Sequence, residues 1–401
     1  IDDLDLKGKR VLLRADLNVP MRHGKVTDAT RITRLLPTFR DLIAKGAKIV
    51  VLSHFDRPEG KYVPSMSLAP LADALSEALD GMEVKFGVDC IGNPAREAVQ
   101  SLKNGEIVLL ENLRFHAGEE KNDPAFTKEL AALGEVYIND AFSCSHRAHA
   151  SITGLAELLP AAAGRLMQAE LTALETILEA PEKPMAAIVG GSKISTKLEL
   201  LGNLVEKVDY LIIGGGMANT FLHAQGLDVG ASLCETSMKK KAQEILKAAE
   251  EKKCSILLPV DVVVASSIAP SAPNQVVPVA AVPKDKMILD IGMRSLVALA
   301  QVLDQCKTVV WNGPAGVFET APFGTGTVAL ARHVALLTRE GKVKSIAGGG
   351  DTVAALSHAG LSDDFTYMST AGGAFMEWLE GKTLPGVAAL YAKLAGKRKT
   401  A

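Results

Sequence analysis

A chain of 401 residues is too long for one ordinary core, and roughly 100–200 residues per domain gives two or three. With 48% hydrophobic and 22% charged residues it has globular proportions and can bury sizeable cores without staples. A formal net charge of −2 argues against a general nucleic-acid or membrane-surface binder, although it leaves room for a local basic pocket.

The opening IDDLDLKGKR has no apolar signal core, so export is not expected. It starts at Ile1 without methionine, so a few preceding residues are expected. Short β-branched apolar runs then alternate with longer helical patterns, which predicts βαβ units and parallel sheets covered by helices.

In the first part of the chain each strand runs into cationic side chains. RVLLRADLNVP carries Arg14, followed by Asp16 and Asn18, and TDATRI adds Arg31 just beyond. AKIVVLSHFDRP ends with His54 and Arg57, EIVLLENLRF delivers Arg114, and EVYINDAFSCSHRAHAS brings His146, Arg147 and His149. A guanidinium is a planar fork suited to carboxylate and phosphate, so several converging ones fit a small ligand with multiple negative charges. For any single arginine a surface acid is the better explanation; it does not account for the repetition at four strand ends. Asp16 and Asn18 can accept from a ligand hydroxyl or cap a turn. His23 and His116 lack that placement and read as surface residues.

RLMQAELTALETILEA, residues 165–180, has apolar positions at helical spacing and then meets Pro181 and Pro184, predicting a connecting helix and a break. From Met185 onward the strands run into glycine instead: MAAIVGGSK, DYLIIGGGMANTF, TVVWNGPAGVF and KSIAGGGDT. Gly214, Gly215 and Gly216, then Gly348, Gly349 and Gly350, and later Gly372 and Gly373, each stand before a helical pattern, where bare backbone amides can approach phosphate oxygens. Tight turns and close helix packing account for any one cluster equally well. Lys193 and Lys197, four apart in GGSKISTK, share a helix face if a helix begins at the glycines. Asp351 and Thr352 follow GGG directly; a carboxylate there is a reasonable magnesium ligand and equally a helix N-cap.

Other features carry little. The apolar stretch 255–269 is broken by Pro259 and Asp261 and is too short to span a membrane. Five scattered cysteines, Cys90, Cys144, Cys234, Cys254 and Cys306, suggest neither a disulfide framework nor a zinc site. Gly381-Lys382-Thr383 lacks the glycine a Walker A loop needs at Met376. Gly324-Thr325-Gly326-Thr327-Val328-Ala329 matches G-x-G-x-x-A but lies well past its strand. The basic tail KLAGKRKTA reads as a solvated end.

Taken together, RADLNVP, TDATRI, SHFDRP, ENLRF, NDAFSCSHRAHAS, GGSKISTKLELL, GGGMANTF, WNGPAGVFE, GGGDT and STAGGAFMEWLEGKTLPG resemble the phosphoglycerate kinase family, in its order and at compatible spacing over essentially the whole chain. The resemblance implies an α/β protein of two Rossmann-like lobes. Residues 1–164 would bind 3-phosphoglycerate, 165–184 form the interdomain helix and linker, 185–384 bind the nucleotide, and 385–401 return to the first lobe. It implies Asp16, Asn18, Arg31, His54, Arg57, Arg114 and Arg147 as the phosphoglycerate site, with Arg14, His146 and His149 in the surrounding basic patch. For the nucleotide it implies Lys193, Lys197, Gly214, Gly215, Asn312, Glu319, Gly349, Gly350, Asp351 and Thr352, with Asp351 on Mg2+. Arg31, Lys197, Gly372 and Gly373 are the candidates for stabilising the transferring phosphoryl. ATP/ADP and 3-phosphoglycerate/1,3-bisphosphoglycerate are the implied partners of a cytoplasmic monomer that closes by hinge motion and has no nucleic-acid or membrane partner. Three positions depart from the family pattern: Asp56 and Ala371 stand where glycine is usual, and Tyr367 where histidine is.

Two rival readings make other predictions. A nicotinamide-dependent dehydrogenase leaves the arginines and GGGDT without purpose. A non-catalytic anion-binding protein predicts one small ligand and no nucleotide dependence.

Overall fold

The computed structural model describes residues 1–398; Lys399, Thr400 and Ala401, at the end of the basic tail, lie outside the described residues. The chain forms two compact units, Ile1–Thr172 with the segment from Thr383, and Ala173–Lys382. The boundary falls inside the helix Arg165–Leu174, which a π-helical turn, Glu175–Glu179, extends.

The first unit is built on strands β1 (Arg10–Arg14), β4 (Lys48–Leu52), β5 (Val84–Gly87), β6 (Ile107–Leu110), β7 (Val136–Asn139) and β8 (Ala161–Ala163), with a two-stranded hairpin of β2 (Met21–Arg22) and β3 (Lys25–Val26) beside them. The large sheet has the order β5-β6-β4-β1-β7-β8 and is parallel throughout. Every residue of β6 and β7 is buried, as expected of strands covered on both faces. The helix Thr30–Ala44 turns Ile32, Leu35, Phe39 and Leu42 onto this core at helical spacing. The register pairs Arg14 with Leu52 and with Asn139, so neighbouring strands end level and their following residues emerge on one rim. The segment after Thr383 joins the same unit, where Gly386 N donates to Ser145 O at 2.9 Å.

The second unit has β9 (Met185–Val189), β10 (Tyr210–Ile213), β11 (Ser255–Leu257), β12 (Asp261–Ala265), β13 (Asn274–Pro278), β14 (Met287–Ile291), β15 (Thr308–Asn312), β16 (Lys344–Gly348) and β17 (Tyr367–Ser369). Six of them form a parallel sheet in the order β11-β10-β9-β15-β16-β17. The other three, β13-β12-β14, make an antiparallel sheet that the sequence reading did not separate from the rest. The apolar stretch that failed as a membrane span supplies β11 and β12, and no helix among the described residues is long and apolar enough to cross a membrane.

Candidate active site

Both parallel sheets aim the carboxyl ends of their strands at a rim, the usual ligand position in an open α/β sheet. In the first unit the rim is cationic, but its members play unequal parts. Arg31, in the first turn of the helix Thr30–Ala44, donates from Nη1 to Asp16 Oδ2 at 3.0 Å and to Asn18 O at 2.8 Å. Asp16 also accepts from Ser143 Oγ at 2.5 Å and from Asn18 N at 3.1 Å. Burial pushes the Asp16 carboxyl up, yet the Arg31 charge and the hydrogen bonds from Ser143 and Asn18 outweigh it and hold the group below its ordinary range. Asn18 Oδ1 takes the amide of Asp56 at 3.1 Å, and Arg114 Nη1 donates to Asp56 O at 2.7 Å. The backbone of one residue thus ties Asn18 to Arg114. That residue adopts φ 52°, a left-handed conformation, which explains physically why glycine suits the position. Arg57 follows it, exposed.

Arg14 corrects the reading of a basic patch. It is wholly buried and works inward, donating from Nε to Ser151 Oγ at 2.8 Å and from Nη1 to Ala15 O at 2.5 Å. Ser151 in turn donates to the buried Glu119, its hydroxyl to Oε1 at 2.5 Å and its amide to Oε2 at 3.0 Å. Arg14 Nη2 lies 3.1 Å from His54 Nδ1. A guanidinium can only donate, so Nδ1 accepts and the neutral ring carries its proton on Nε2. Burial, reinforced by Arg14, Arg114 and Arg31 against Asp16, lowers the His54 pKa well below the ordinary histidine value. His149 is pushed down to about 3 by burial and then by Arg114, Arg14 and Arg147, so these cations crowd one electrostatic neighbourhood. Arg147 Nε donates to His146 Nε2 at 3.2 Å. A rim that keeps its histidines neutral while its arginines stay charged is suited to an anion with several negative oxygens.

In the second unit the glycines gather as expected, and one helix does not. The helix after GGSKISTK begins at Leu198, so Lys193 and Lys197 share no helix face. The loop closes turns of its own, Thr196 Oγ1 to Lys193 O at 2.9 Å and Lys197 N to Ile194 O at 2.9 Å. Lys193 is exposed, whereas Lys197 folds back and donates from Nζ to Gly190 O and Asn312 Oδ1, both at 2.6 Å. Burial lowers its pKa to about 8, against the pull of Asp351. Asn312 is held from its other end by Nδ2 donating to Gly348 O at 2.8 Å, and Gly313 N donates to Thr352 Oγ1 at 2.7 Å.

The ends of β9 and β15 cross so closely that a Cβ on Gly313 (φ 104°) stands 2.2 Å from Gly190 O, a contact no side chain tolerates. Helices start at Gly215, Gly350 and Gly373, with Gly214, Gly349 and Gly372 as their N-caps. Asp351 is therefore a first-turn residue and not the cap, and it is exposed. Gly372 (φ 50°, ψ −106°) has open space where a Cβ points, so backbone conformation and not packing demands glycine there. Ala371 is absent from the described residues with positive φ, so its departure from glycine costs no such strain.

A cavity of about 330 Å³ opens beside these amides. Gly191, Gly215 and Gly216 line one side with Asp351 and Glu319, while Leu233, Pro259, Leu289 and Val317 give it apolar walls. Apolar walls beside glycine amides and a carboxylate fit a base at one end and phosphates at the other. The apolar wall was missed in the sequence because part of it comes from the antiparallel sheet; the β-branched runs DVVVA and NQVVP were the available signal. The G-x-G-x-x-A segment has a structural explanation: Gly326 N donates to Asp290 Oδ2 at 2.7 Å, and Thr327 Oγ1 accepts from Ala315 N at 3.0 Å.

Comparison with known proteins decides between the readings. The family model described as phosphoglycerate kinase matches residues 1–382. The chain belongs to the phosphoglycerate kinase family. A phosphoglycerate kinase of Methylorubrum extorquens is 61% identical over 388 residues, covering 97% of each chain, and that of Sinorhizobium medicae is 60% identical over 388 residues, 96% of this chain and 97% of the other. Among solved structures, phosphoglycerate kinase from Coxiella burnetii matches with a TM-score of 0.90 at 44% identity, covering 98% of both chains. The enzyme from Pyrococcus horikoshii matches with a TM-score of 0.83 at 32% identity over 98% of this chain and 99% of that one. The family's enzymes are phosphotransferases with a carboxyl group as acceptor and carry the glycolytic transfer between ATP and 3-phosphoglycerate.

Proposed function

We propose that this chain moves a phosphoryl group reversibly between ATP and the carboxylate of 3-phosphoglycerate, giving ADP and 1,3-bisphosphoglycerate, with the acceptor on the cationic rim and the nucleotide on the glycine rim. The observation that carries the division of labour is the contrast between the two rims. One offers Arg31, Arg114 and Arg147 with neutral histidines. The other offers helix-start amides around a cavity with apolar walls. Residues 1–164 with 385–401 form the acceptor domain in this reading, 185–384 the nucleotide domain, and 165–184 the connection.

The acceptor carboxylate is ionised at neutral pH, its reference pKa being about 3.3–3.9, so attack needs no general base. Catalysis then rests on in-line positioning and on neutralising charge at the transferring group. Both bonds from Arg31 to the protein leave from Nη1, which leaves Nη2 and Nε as donors for an anionic ligand. His54 donates from Nε2, with Asp16, Asn18, Arg57, Arg114 and Arg147 completing the acceptor site. On the donor side Lys197 exchanges one of its carbonyl acceptors for a phosphate oxygen, and the amides of Gly372 and Gly373 take charge on the migrating group. Lys193, Gly214, Gly215, Asn312, Glu319, Gly349, Gly350 and Thr352 hold the nucleotide. Asp351, an exposed carboxylate beside glycine amides, fits Mg2+, which favours one or two carboxylates plus phosphate oxygens. Bound there, Mg2+ neutralises the nucleotide phosphates.

Because donor and acceptor bind different units in this reading, turnover requires hinge closure, and scattering profiles unchanged by both ligands together would count against that step. The enzyme acts as a cytoplasmic monomer on small molecules, without a nucleic-acid or membrane partner. The direct test is ATP consumption with Mg2+ in a coupled assay: turnover that depends on 3-phosphoglycerate is expected, and ATP hydrolysis indifferent to it refutes the reading.

A further inference from the structure

We propose that Asp89, Cys90 and His116 form a site for a thiophilic divalent cation of the Zn2+ type, separate from the position assigned to Mg2+. The fold brings these residues together from two adjacent strand ends. Asp89 and Cys90 follow β5, His116 follows the 3-10 turn Leu113–Phe115 after β6, and the two strands pair with Gly87 opposite Leu110. One ligand atom from each residue lies within 4.8 Å of the other two.

The donor chemistry is selective. Thiolate, imidazole and carboxylate are the zinc-binding groups, and three protein ligands with a fourth position open to water is a common zinc arrangement. Sulfur and nitrogen donors disfavour Mg2+ and Ca2+, which bind oxygen. Cys90 is wholly buried, while the side chains of His116 and Asp89 keep 31% and 38% of their exposure, so solvent reaches the cluster past His116 and Asp89 and not past Cys90. Bonds of about 2.0–2.3 Å in a tetrahedron set ligand atoms about 3.3–3.8 Å apart. The His116 Nε2–Asp89 Oδ1 contact of 2.7 Å therefore opens by roughly 1 Å on binding, and the wider separations close.

Existing contacts support that geometry. Asp89 Oδ1 already accepts from Cys90 N at 2.6 Å, which fixes the carboxylate beside the cysteine. The His116 ring lies against Phe126 with centroids 5.4 Å apart, which limits its swing. Binding displaces the thiol proton of Cys90 to solvent and leaves the imidazole neutral, one nitrogen on the metal and the other protonated. His116 is two residues from Arg114, so the occupied site also stiffens the segment carrying an anion-rim arginine.

Titrating the metal-free full chain with Co2+ tests this. One equivalent should produce a near-ultraviolet thiolate-to-cobalt charge-transfer band together with the visible bands of tetrahedral cobalt, and Zn2+ should bleach both. Cys90→Ser should abolish the charge-transfer band although the other four cysteines remain. His116→Gln, at a half-exposed position that spares the fold, should weaken Zn2+ binding at least about tenfold. Absence of the band in the wild type, its persistence in Cys90→Ser, or unchanged Zn2+ affinity in folded His116→Gln each overturns the proposal.

Discussion

Arg14→Met removes a guanidinium that has no route to solvent. The aliphatic volume is largely kept, so the loss is electrostatic. Ser151 Oγ loses the donor at 2.8 Å, His54 Nδ1 loses the one at 3.1 Å, and Glu119 keeps its buried charge without the cation that opposed burial. Glu119 meets Arg14 only through Ser151 and through its field, and a buried charge left uncompensated costs up to about 3–5 kcal/mol. For a unit of about 150–250 residues each kcal/mol moves Tm by roughly 2–4 °C, so the first unit should melt up to about 6–20 °C lower. The pH dependence identifies the cause. Burial already raises the Glu119 carboxyl above its ordinary value, and loss of Arg14 raises it further. The folded state then binds a proton more tightly than the unfolded chain, so the deficit is largest near neutrality and shrinks as pH falls through the raised pKa. Calorimetry of wild type and variant between pH 5 and 8 measures this, and adding Glu119→Gln to Arg14→Met should recover much of the loss. A variant as stable as wild type, or a deficit indifferent to both pH and Glu119→Gln, refutes the account of this network.

Lys197, with its pKa lowered to about 8 by burial, should take up a fraction of a proton when a nucleotide phosphate arrives beside it at pH 8. Calorimetric binding enthalpies of ADP in buffers of different ionisation heat report that uptake, and buffer-independent enthalpies contradict it. Asp56→Gly relieves a left-handed backbone at φ 52° but frees the unfolded chain, so a net gain of up to about 1 kcal/mol is expected from denaturant unfolding; a loss of stability contradicts it. Burial raises the Asp290 carboxyl to about 7, above its unfolded value, so this group's contribution to stability falls as pH rises from about 4 through 7. Asp290→Asn should flatten that slope in pH-dependent unfolding, and an unaltered slope points to another group.

The parts legible in the sequence share a physical reason. IVLL, VYIN, MAAIV and TVVWN read as strands because parallel strands buried on both faces are continuous apolar runs. Their ends read as rims because chemistry changes abruptly where burial stops, from valine and isoleucine to arginine in one half and glycine in the other. What escaped depended on partners distant in sequence. Nothing near Arg14 announces Glu119 or Ser151, so a buried structural cation looked like one more rim arginine. A spacing of four between Lys193 and Lys197 is helical only if a helix is present, and Thr196 and Ile194 close turns there instead. His116 looked like a surface residue until the pairing of β5 with β6 set it against Asp89.

The measurement that tests the central claim most directly is the steady-state kinetics of Arg31→Ala, with ATP, Mg2+ and 3-phosphoglycerate as substrates. Arg31 bonds only through Nη1 to Asp16 and Asn18, at a half-exposed position, so the fold should survive, as far-ultraviolet circular dichroism can verify. Loss of a charged donor to the transferring group predicts kcat at least about a hundredfold lower, with the KM for ATP little altered. A folded variant that turns over at the wild-type rate contradicts the assignment of the cationic rim to the acceptor and to the phosphoryl in flight.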